Sequence, residues 1–363
     1  MSGLAVQHQA INLSQGFPDF NIAAELIDLV HQKMKEGHNQ YAPMPGIPAL
    51  REAISEKISK TYGVYYHPDT EITVTAGATQ ALFTAISAFI HDGDEAIVFE
   101  PAYDSYAPAI RLNGGIIRYS RLRTPGFRID WEEVAKLINN NTRMIIINTP
   151  HNPTGSVLSE NDLQQLSKIT RNTDILVLSD EVYEHLIFDQ LSHQSICRYP
   201  DLISRSLAVY SFGKTFHATG WKCGYVLAPE NLTSEFRKVH QFNVFAVNTP
   251  VQHAIAQYLT EPLNYNQLPD FYQEKRDKFL ELIKGSRFTV IPCHGTYFQL
   301  LGYERISDEP EADFAIRLTK DFKIASIPVS AFYYDHYNNH TLRFCFAKQD
   351  QTLEKAAEIL CRI

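Results

Sequence analysis

Short apolar runs of four or five residues, set between stretches of helical periodicity, mark the first two thirds of this 363-residue chain. Ile72–Thr75, Glu95–Phe99, Arg143–Ile147, Ile175–Leu178, Leu207–Tyr210 and Tyr225–Ala228 read as strands, and Ile116–Ile117 as part of another. Between them lie helical patterns: Glu25–Glu36, Pro48–Tyr62 with Leu50, Ile54 and Ile58 on one face, a helix ending near Ile90, and Trp131–Ile138. Ser159-Glu-Asn-Asp162 is a capping-box variant that opens a helix to about Arg171. Apolar runs alternating with helices predict an α/β fold: a three-layer, mostly parallel sheet with helices on both faces. After about residue 230 the pattern changes. Helices Leu232–Phe242, Pro250–Leu259 and Asp270–Ile283 precede short strands at Phe288–Ile291, Thr296–Leu301, Ala325–Ile327 and Leu342–Phe346, with helices Asp313–Lys320 and Leu353–Cys361 among them. This mixed tail predicts a smaller α+β domain. The expected division is residues 31–269 as the large domain, with 1–30 and 270–363 forming the small one.

Composition narrows the function classes. Hydrophobic residues make up 44% and charged residues 20%, enough for a sizeable core. A net charge of -8 argues against nucleic acid as a partner. The five cysteines are scattered with no C-x-x-C pair, which predicts reduced thiols, no zinc site and a cytoplasmic protein. The apolar runs are strand-length, so no membrane span is expected.

In an open α/β sheet, ligands bind beyond the carboxyl ends of the strands. Four strands here deliver polar residues to that edge. Gly77-Ala-Thr79 opens a helix and suits a phosphate. Asn148-Thr-Pro-His-Asn-Pro-Thr-Gly155, Ser179-Asp-Glu-Val-Tyr183 and Ser211-Phe-Gly-Lys214 follow three others. Lys214 reads as a phosphate ligand, a covalent-chemistry lysine or a surface lysine. Gly213-Lys214-Thr215 matches the end of a P-loop, but the first glycine of that motif would fall on Ala208, and a strand follows where a P-loop needs a helix. A lysine can instead bind an aldehyde cofactor such as pyridoxal phosphate, which also needs an anion for its pyridine nitrogen, donors for its phenolic oxygen and a phosphate cup. Asp180 suits the nitrogen, or else is a helix cap or ion-pair member. Asn152 and Tyr183 suit the phenolic oxygen, although Asn-Pro-Thr-Gly is also plain turn chemistry. Ser211 and Lys222 flank the lysine and could join Gly77-Ala78-Thr79 at the phosphate. Tyr103 could stack on the ring or belong to the core.

At these residues the chain resembles the class I/II aminotransferases of the aspartate aminotransferase fold, over essentially its whole length. Ser211-Phe-Gly-Lys214 with Thr-Gly-Trp-Lys-Cys-Gly224, Asn152-Pro-Thr-Gly155 and Ser179-Asp-Glu-Val-Tyr183 carry the likeness. Ser14-Gln-Gly-Phe-Pro-Asp19, Gln40-Tyr-Ala-Pro43, Gly213-Lys-Thr-Phe216 and Arg343-Phe-Cys-Phe-Ala-Lys348 resemble the bacterial methionine and kynurenine aminotransferase branch. The resemblance implies pyridoxal phosphate anchored on Lys214 and paired with Asp180, with Asn152 and Tyr183 at its phenolic oxygen and Tyr103 on its ring. Ala78, Thr79, Ser211 and Lys222 would hold its phosphate, and residues 31–269 would form the cofactor-binding domain. Tyr41 would reach the phosphate in a partner subunit, implying a homodimer with shared sites. Arg343 would grip the substrate carboxylate with Asn152 and the Gly16 backbone; without the family it reads as a surface ion pair. Phe17, Tyr41, Tyr103 and the segment Gln241–Phe245 could line an apolar side-chain pocket. Relatives usually carry a longer segment ahead of Ile11-Asn-Leu-Ser14; it is either shortened here or lies outside this sequence, and the contacts it would make are left unassigned. The implied reaction is ping-pong transamination of methionine and aromatic amino acids. The alternatives are β-elimination from cysteine conjugates on the same cofactor and, more remotely, a transcriptional regulator or the P-loop enzyme.

Overall fold

The computed structural model describes residues 1–363. Its main sheet has seven strands: β2 (Ile72–Thr75), β3 (Glu95–Glu100), β4 (Ile116–Arg121), β5 (Thr142–Asn148), β6 (Leu176–Asp180), β7 (Ser206–Ser211) and β8 (Gly224–Leu227), after a two-residue β1 (Ile11–Asn12). The spatial order is β2-β8-β7-β6-β5-β3-β4. All pairings are parallel except those of β8, which runs antiparallel to both β7 and β2. The link from β7 to β8 contains only single helical turns, Phe212–Thr215 and Thr219–Trp221, and no crossover helix, so the chain returns beside β7 in the opposite direction. The sheet is therefore mixed, with one reversed strand.

Both faces of the sheet are buried, which explains why its strands are apolar runs without alternation. Ile145 and Ile147, Val177, and Ala208 and Tyr210 enter one core cluster; their neighbours Met144 and Ile146, Leu176 and Leu178, and Leu207 and Val209 enter another. The helix Ala78–Phe89 covers the second face with Glu230–Asn243. On the other side, Pro48–Tyr62 packs with Thr249–Leu259, which also receives Ala24–Lys35. The helix Glu160–Thr170 starts in the expected capping box: Ser159 accepts from the Asp162 backbone N–H, and Asp162 accepts from that of Ser159.

The tail forms a small antiparallel sheet of β9 (Thr289–Val290), β10 (Phe298–Gly302), β12 (Ile327–Pro328) and β13 (Thr341–Cys345), ordered β12-β13-β10-β9. The expected strand Ala325–Ile327 is broken at Ser326: β11 (Ile324–Ala325) pairs with β1, while β12 pairs with β13. The N-terminal segment is thereby stitched to the small sheet and carries Ser14–Phe17 toward the strand ends of the large one. No helix is long and apolar enough to cross a membrane.

Candidate active site

Beyond the ends of β5, β6 and β7 lies a cavity of about 490 Å³ between the two sheets. Register aligns Asn148 on β5 with Asp180 on β6, and Ser211 on β7 pairs with Gly224. Polar residues at consecutive strand ends therefore meet in space. Among the residues proposed from sequence, Gly16, Ala78, Thr79, Tyr103, Asn152, Asp180, Tyr183, Ser211, Lys214, Lys222 and Arg343 all line this cavity.

Lys214 sits in the single turn Phe212–Thr215, whose last bond runs from the Phe216 N–H to the Phe212 carbonyl at 2.7 Å. This turn aims the lysine into the cavity and makes no anion cradle of the P-loop kind. Its Nζ donates to the Tyr297 hydroxyl at 2.7 Å and to the Gly16 carbonyl at 3.1 Å. Burial lowers the amine to about 8, with Cys345 and Asp180 opposing and Arg343 and Lys222 assisting. A proton can therefore leave or return near neutral pH.

Asp180 is buried at the end of β6. Burial raises its carboxyl to about 6, against the Tyr106 hydroxyl, the Val182 N–H and the Lys214 charge. The Tyr106 hydroxyl donates to Asp180 Oδ2 at 2.6 Å. Asn148 joins the strand ends: its Nδ2 donates to the Asp180 carbonyl at 2.8 Å, and its Oδ1 accepts from the Asn152 N–H at 2.8 Å.

Arg343, on β13, crosses into this large-sheet assembly. Its Nη1 donates to Asn152 Oδ1 at 2.6 Å, and its guanidinium lies 3.9 Å from the Phe298 ring centroid. Its Nη2 reaches the Ser14 carbonyl only at 3.4 Å, and its Nε is buried without a partner. One edge of the guanidinium is thus left for an acceptor, as a carboxylate ligand requires. Gly16 is forced by space: a Cβ there would come within 2.8 Å of Phe298 Cζ.

The opposite end of the cavity is cationic and hydroxylic. Gly77, at φ +78°, precedes the helix Ala78–Phe89, and a Cβ on it would approach Lys222 Nζ to 3.5 Å. Thr79 Oγ1 and the Tyr103 hydroxyl lie 3.3 Å apart. Helix N-terminal N–H groups, a lysine and hydroxyls suit a phosphate. With Lys214, Asp180 and the open edge of Arg343, this donor set fits pyridoxal phosphate together with a carboxylate-bearing substrate.

Two expected residues, Phe17 and Tyr41, and the expected segment Gln241–Phe245 do not line the cavity. Phe17 lies outside the cavity, because Lys348 holds its carbonyl at 2.8 Å and sits 5.2 Å from its ring. Tyr41 is 83% exposed, with its ring 5.4 Å from Phe245. Conversely, Tyr106, Asn148 and Tyr297 were given no role from sequence. Tyr106 lies in the stretch Pro101–Tyr106, three residues after Tyr103, so its place on the first helical turn was the available signal; Tyr297 gave none beyond a strand pattern.

A buried amine, a buried carboxylate and an open guanidinium edge in one cavity define a site for chemistry on the amino group of a carboxylate-bearing molecule. The chain belongs to the family of class I and II aminotransferases, whose model matches residues 8–360. It is an aminotransferase of the aspartate aminotransferase fold, and enzymes of this family use pyridoxal phosphate to move amino groups between amino acids and 2-oxo acids. It is 49% identical over 361 residues to a methionine aminotransferase of Escherichia coli (strain K12), covering 99% of this chain and 94% of that protein. A solved structure of an Escherichia coli methionine aminotransferase superposes with a TM-score of 0.98 at 49% identity, covering 100% of this chain and 96% of that one. A kynurenine–oxoglutarate transaminase of Dictyostelium discoideum is 33% identical, covering 100% of this chain and 92% of that protein.

Proposed function

We propose that this enzyme transfers the amino group of methionine and aromatic amino acids to a 2-oxo acid in two half-reactions, with Lys214 as the covalent anchor of the cofactor. The observation that carries this reading is the Lys214 amine, buried and lowered to about 8, in one cavity with Asp180 and the open edge of Arg343. Asp180 would pair with the pyridine nitrogen, Asn152 and Tyr183 would hold the phenolic oxygen, and Tyr103 would cover the ring. Ala78, Thr79, Ser211 and Lys222 would hold the phosphate. When bound, the cofactor supplies an electron-withdrawing ring that stabilises negative charge at the substrate Cα. The protein's part is placement and proton movement. Arg343 and Asn152 would orient the substrate carboxylate, and Lys214 would take the Cα proton and hold it within the site. Asp180, with its carboxyl at about 6, is largely ionised at pH 7 and keeps a cation opposite it.

Leu82, Val182, Ile327 and Phe332 give the cavity apolar walls, which suit a thioether or an aromatic side chain. The name and 49% identity of the Escherichia coli relative support methionine among these. The exposure of Tyr41 supports a homodimer in which this tyrosine reaches the partner's phosphate site. The five unpaired cysteines support a cytoplasmic enzyme. We also infer that residues 1–30 and 270–363 form one unit and residues 31–269 the other.

Two measurements test this. Lys214→Ala is expected to abolish transamination and change the visible absorbance of the bound cofactor; unaltered absorbance with full activity would refute the assignment. In single-turnover assays across amino acids, methionine and phenylalanine are expected to react well ahead of aspartate, and a strong preference for aspartate would overturn the substrate class.

A further inference from the structure

Tyr297 is fully buried just before β10, beside the lysine. Its hydroxyl accepts from Lys214 Nζ at 2.7 Å and donates to the Gly16 carbonyl at 2.5 Å, while Nζ donates to that same carbonyl at 3.1 Å. A phenol has one proton. With that proton committed to Gly16, Tyr297 meets the amine only as an acceptor, and an acceptor favours the ammonium over the free amine. Both partners are fixed independently of the lysine. The Tyr297 ring stands edge-on to Tyr183 at 5.2 Å and to Phe298 at 4.9 Å. The Gly16 segment is held by the Cys345 N–H on the Leu13 carbonyl at 2.8 Å and by Lys348 on the Phe17 carbonyl. The lysine is the one flexible member of the triangle.

We propose that Tyr297 is a positioning residue that forms, with the Gly16 carbonyl, a berth for the Lys214 ammonium whenever that amine is not bound to the cofactor. The berth returns the lysine to one place between half-reactions and sets how readily it gives up its proton. This inference rests on the assignment of Lys214 as the anchoring lysine. The other groups facing the amine are Asp180 and Cys345, which favour the ammonium, Arg343 and Lys222, which favour the free amine, and the Tyr183 ring at 5.6 Å. The berth therefore works against burial, the largest influence on this lysine.

The test is competitive acylation of Lys214 from pH 6 to 10, read by peptide mass spectrometry. The full chain is used saturated with pyridoxamine phosphate, which leaves the lysine amine free, and in parallel without cofactor. Tyr297→Phe keeps the ring and removes the acceptor. Its Lys214 is expected to titrate about one to two pH units lower, and labelling at pH 7 to rise about five- to tenfold. Tyr272→Phe is the control: its ring lies 5.9 Å from Tyr297 and its hydroxyl has no partner, so the profile is expected to stay as in the parent. Should the Phe variant fail to fold, 3-fluorotyrosine at position 297, a weaker acceptor of nearly the same shape, is expected to give a smaller shift in the same direction. A Tyr297→Phe or 3-fluorotyrosine profile that overlays the parent, or one that moves upward, overturns the proposal. Retained transamination in Lys214→Ala would instead overturn the assignment on which it rests.

Discussion

Tyr106→Phe isolates a single hydrogen bond to the carboxylate on which cofactor pairing depends. The Tyr106 hydroxyl reaches Asp180 Oδ2 at 2.6 Å, and both side chains are buried. The variant keeps the ring and leaves that oxygen without its donor. The Val182 N–H lies at 3.4 Å from the other oxygen and compensates poorly. A hydrogen bond to a charged group contributes about 1.5–3 kcal/mol, and each pH unit corresponds to about 1.4 kcal/mol. The Asp180 carboxyl, at about 6 in the parent, should therefore move to about 7–8. Over that interval the variant is protonated where the parent is ionised, and a neutral carboxyl cannot pair with a protonated pyridine nitrogen. Binding of pyridoxal phosphate to the cofactor-free protein, followed by absorbance from pH 5.5 to 8.5, should weaken below about pH 6 in the parent and below about pH 7–8 in the variant. Near pH 6.5 the variant should bind about tenfold more weakly; at pH 8.5 the two should converge. Stability gives a second reading with a definite sign. Because the folded carboxyl lies above its ordinary 3.8, the folded state holds the proton more tightly, and cofactor-free stability falls as pH rises from about 4 to about 6. In the variant that fall should continue to about pH 7–8 and add about 1.5–3 kcal/mol. An affinity loss of equal size at every pH would refute the argument, because it would mean that the phenol matters for packing and not for the charge on Asp180.

Two further substitutions probe other parts of the assembly. Arg343→Lys keeps a charge but loses the fork and the stack on Phe298, so kcat/KM for amino acids should fall about ten- to hundredfold while cofactor binding is retained; unchanged kinetics would remove Arg343 from the substrate site. Lys57, 2% exposed, donates to Glu184 Oε1 at 2.6 Å, behind the turn that carries Asp180 and Tyr183. Burial pushes the Glu184 carboxyl up, but Lys57 and His185 outweigh it and hold the group below the carboxylate range. The pair's contribution is thus complete above about pH 4.5 and lost as pH falls below that. Lys57→Met leaves the buried carboxylate with the Tyr62 hydroxyl on Oε2 at 2.6 Å but without its ammonium partner, and should cost about 3–5 kcal/mol at pH 7, whereas Lys57→Met with Glu184→Leu should recover most of it. A single variant as stable as the parent in thermal unfolding would show that Tyr62 and His185 suffice to hold Glu184.

The strand ends were legible because each sits at a change of composition. Apolar runs stop at Asn148, Ser179 and Ser211, and in a sheet with parallel strands those stops fall on one edge. The direction of β8 was hidden, since a strand buried on both faces has the same pattern whichever way it runs. Tyr106 and Tyr297 were hidden for a different reason. Their hydroxyls bond to Asp180 and Gly16, 74 and 281 residues away in the chain, and a tyrosine that ends in such a bond has the periodicity of one that simply packs.

Arg343 shows where the boundary lies. From sequence, an arginine on a short strand is better explained as a surface ion pair, and only the family resemblance favours a substrate contact. What separates the two is the company the guanidinium keeps. A surface pair would be exposed beside a carboxylate. Arg343 is 7% exposed, lies against the Phe298 ring, gives Nη1 to the neutral amide oxygen of Asn152 and Nη2 only distantly, at 3.4 Å, to the Ser14 carbonyl, with Nε buried and unbonded. Burying a cation with a donor unused costs several kcal/mol. A carboxylate matches the donors left on the Nε–Nη2 edge. The decisive feature is a buried donor left unused on one edge of a side chain, an arrangement that arises only when strands β10 and β13 and the Asn152 turn are assembled.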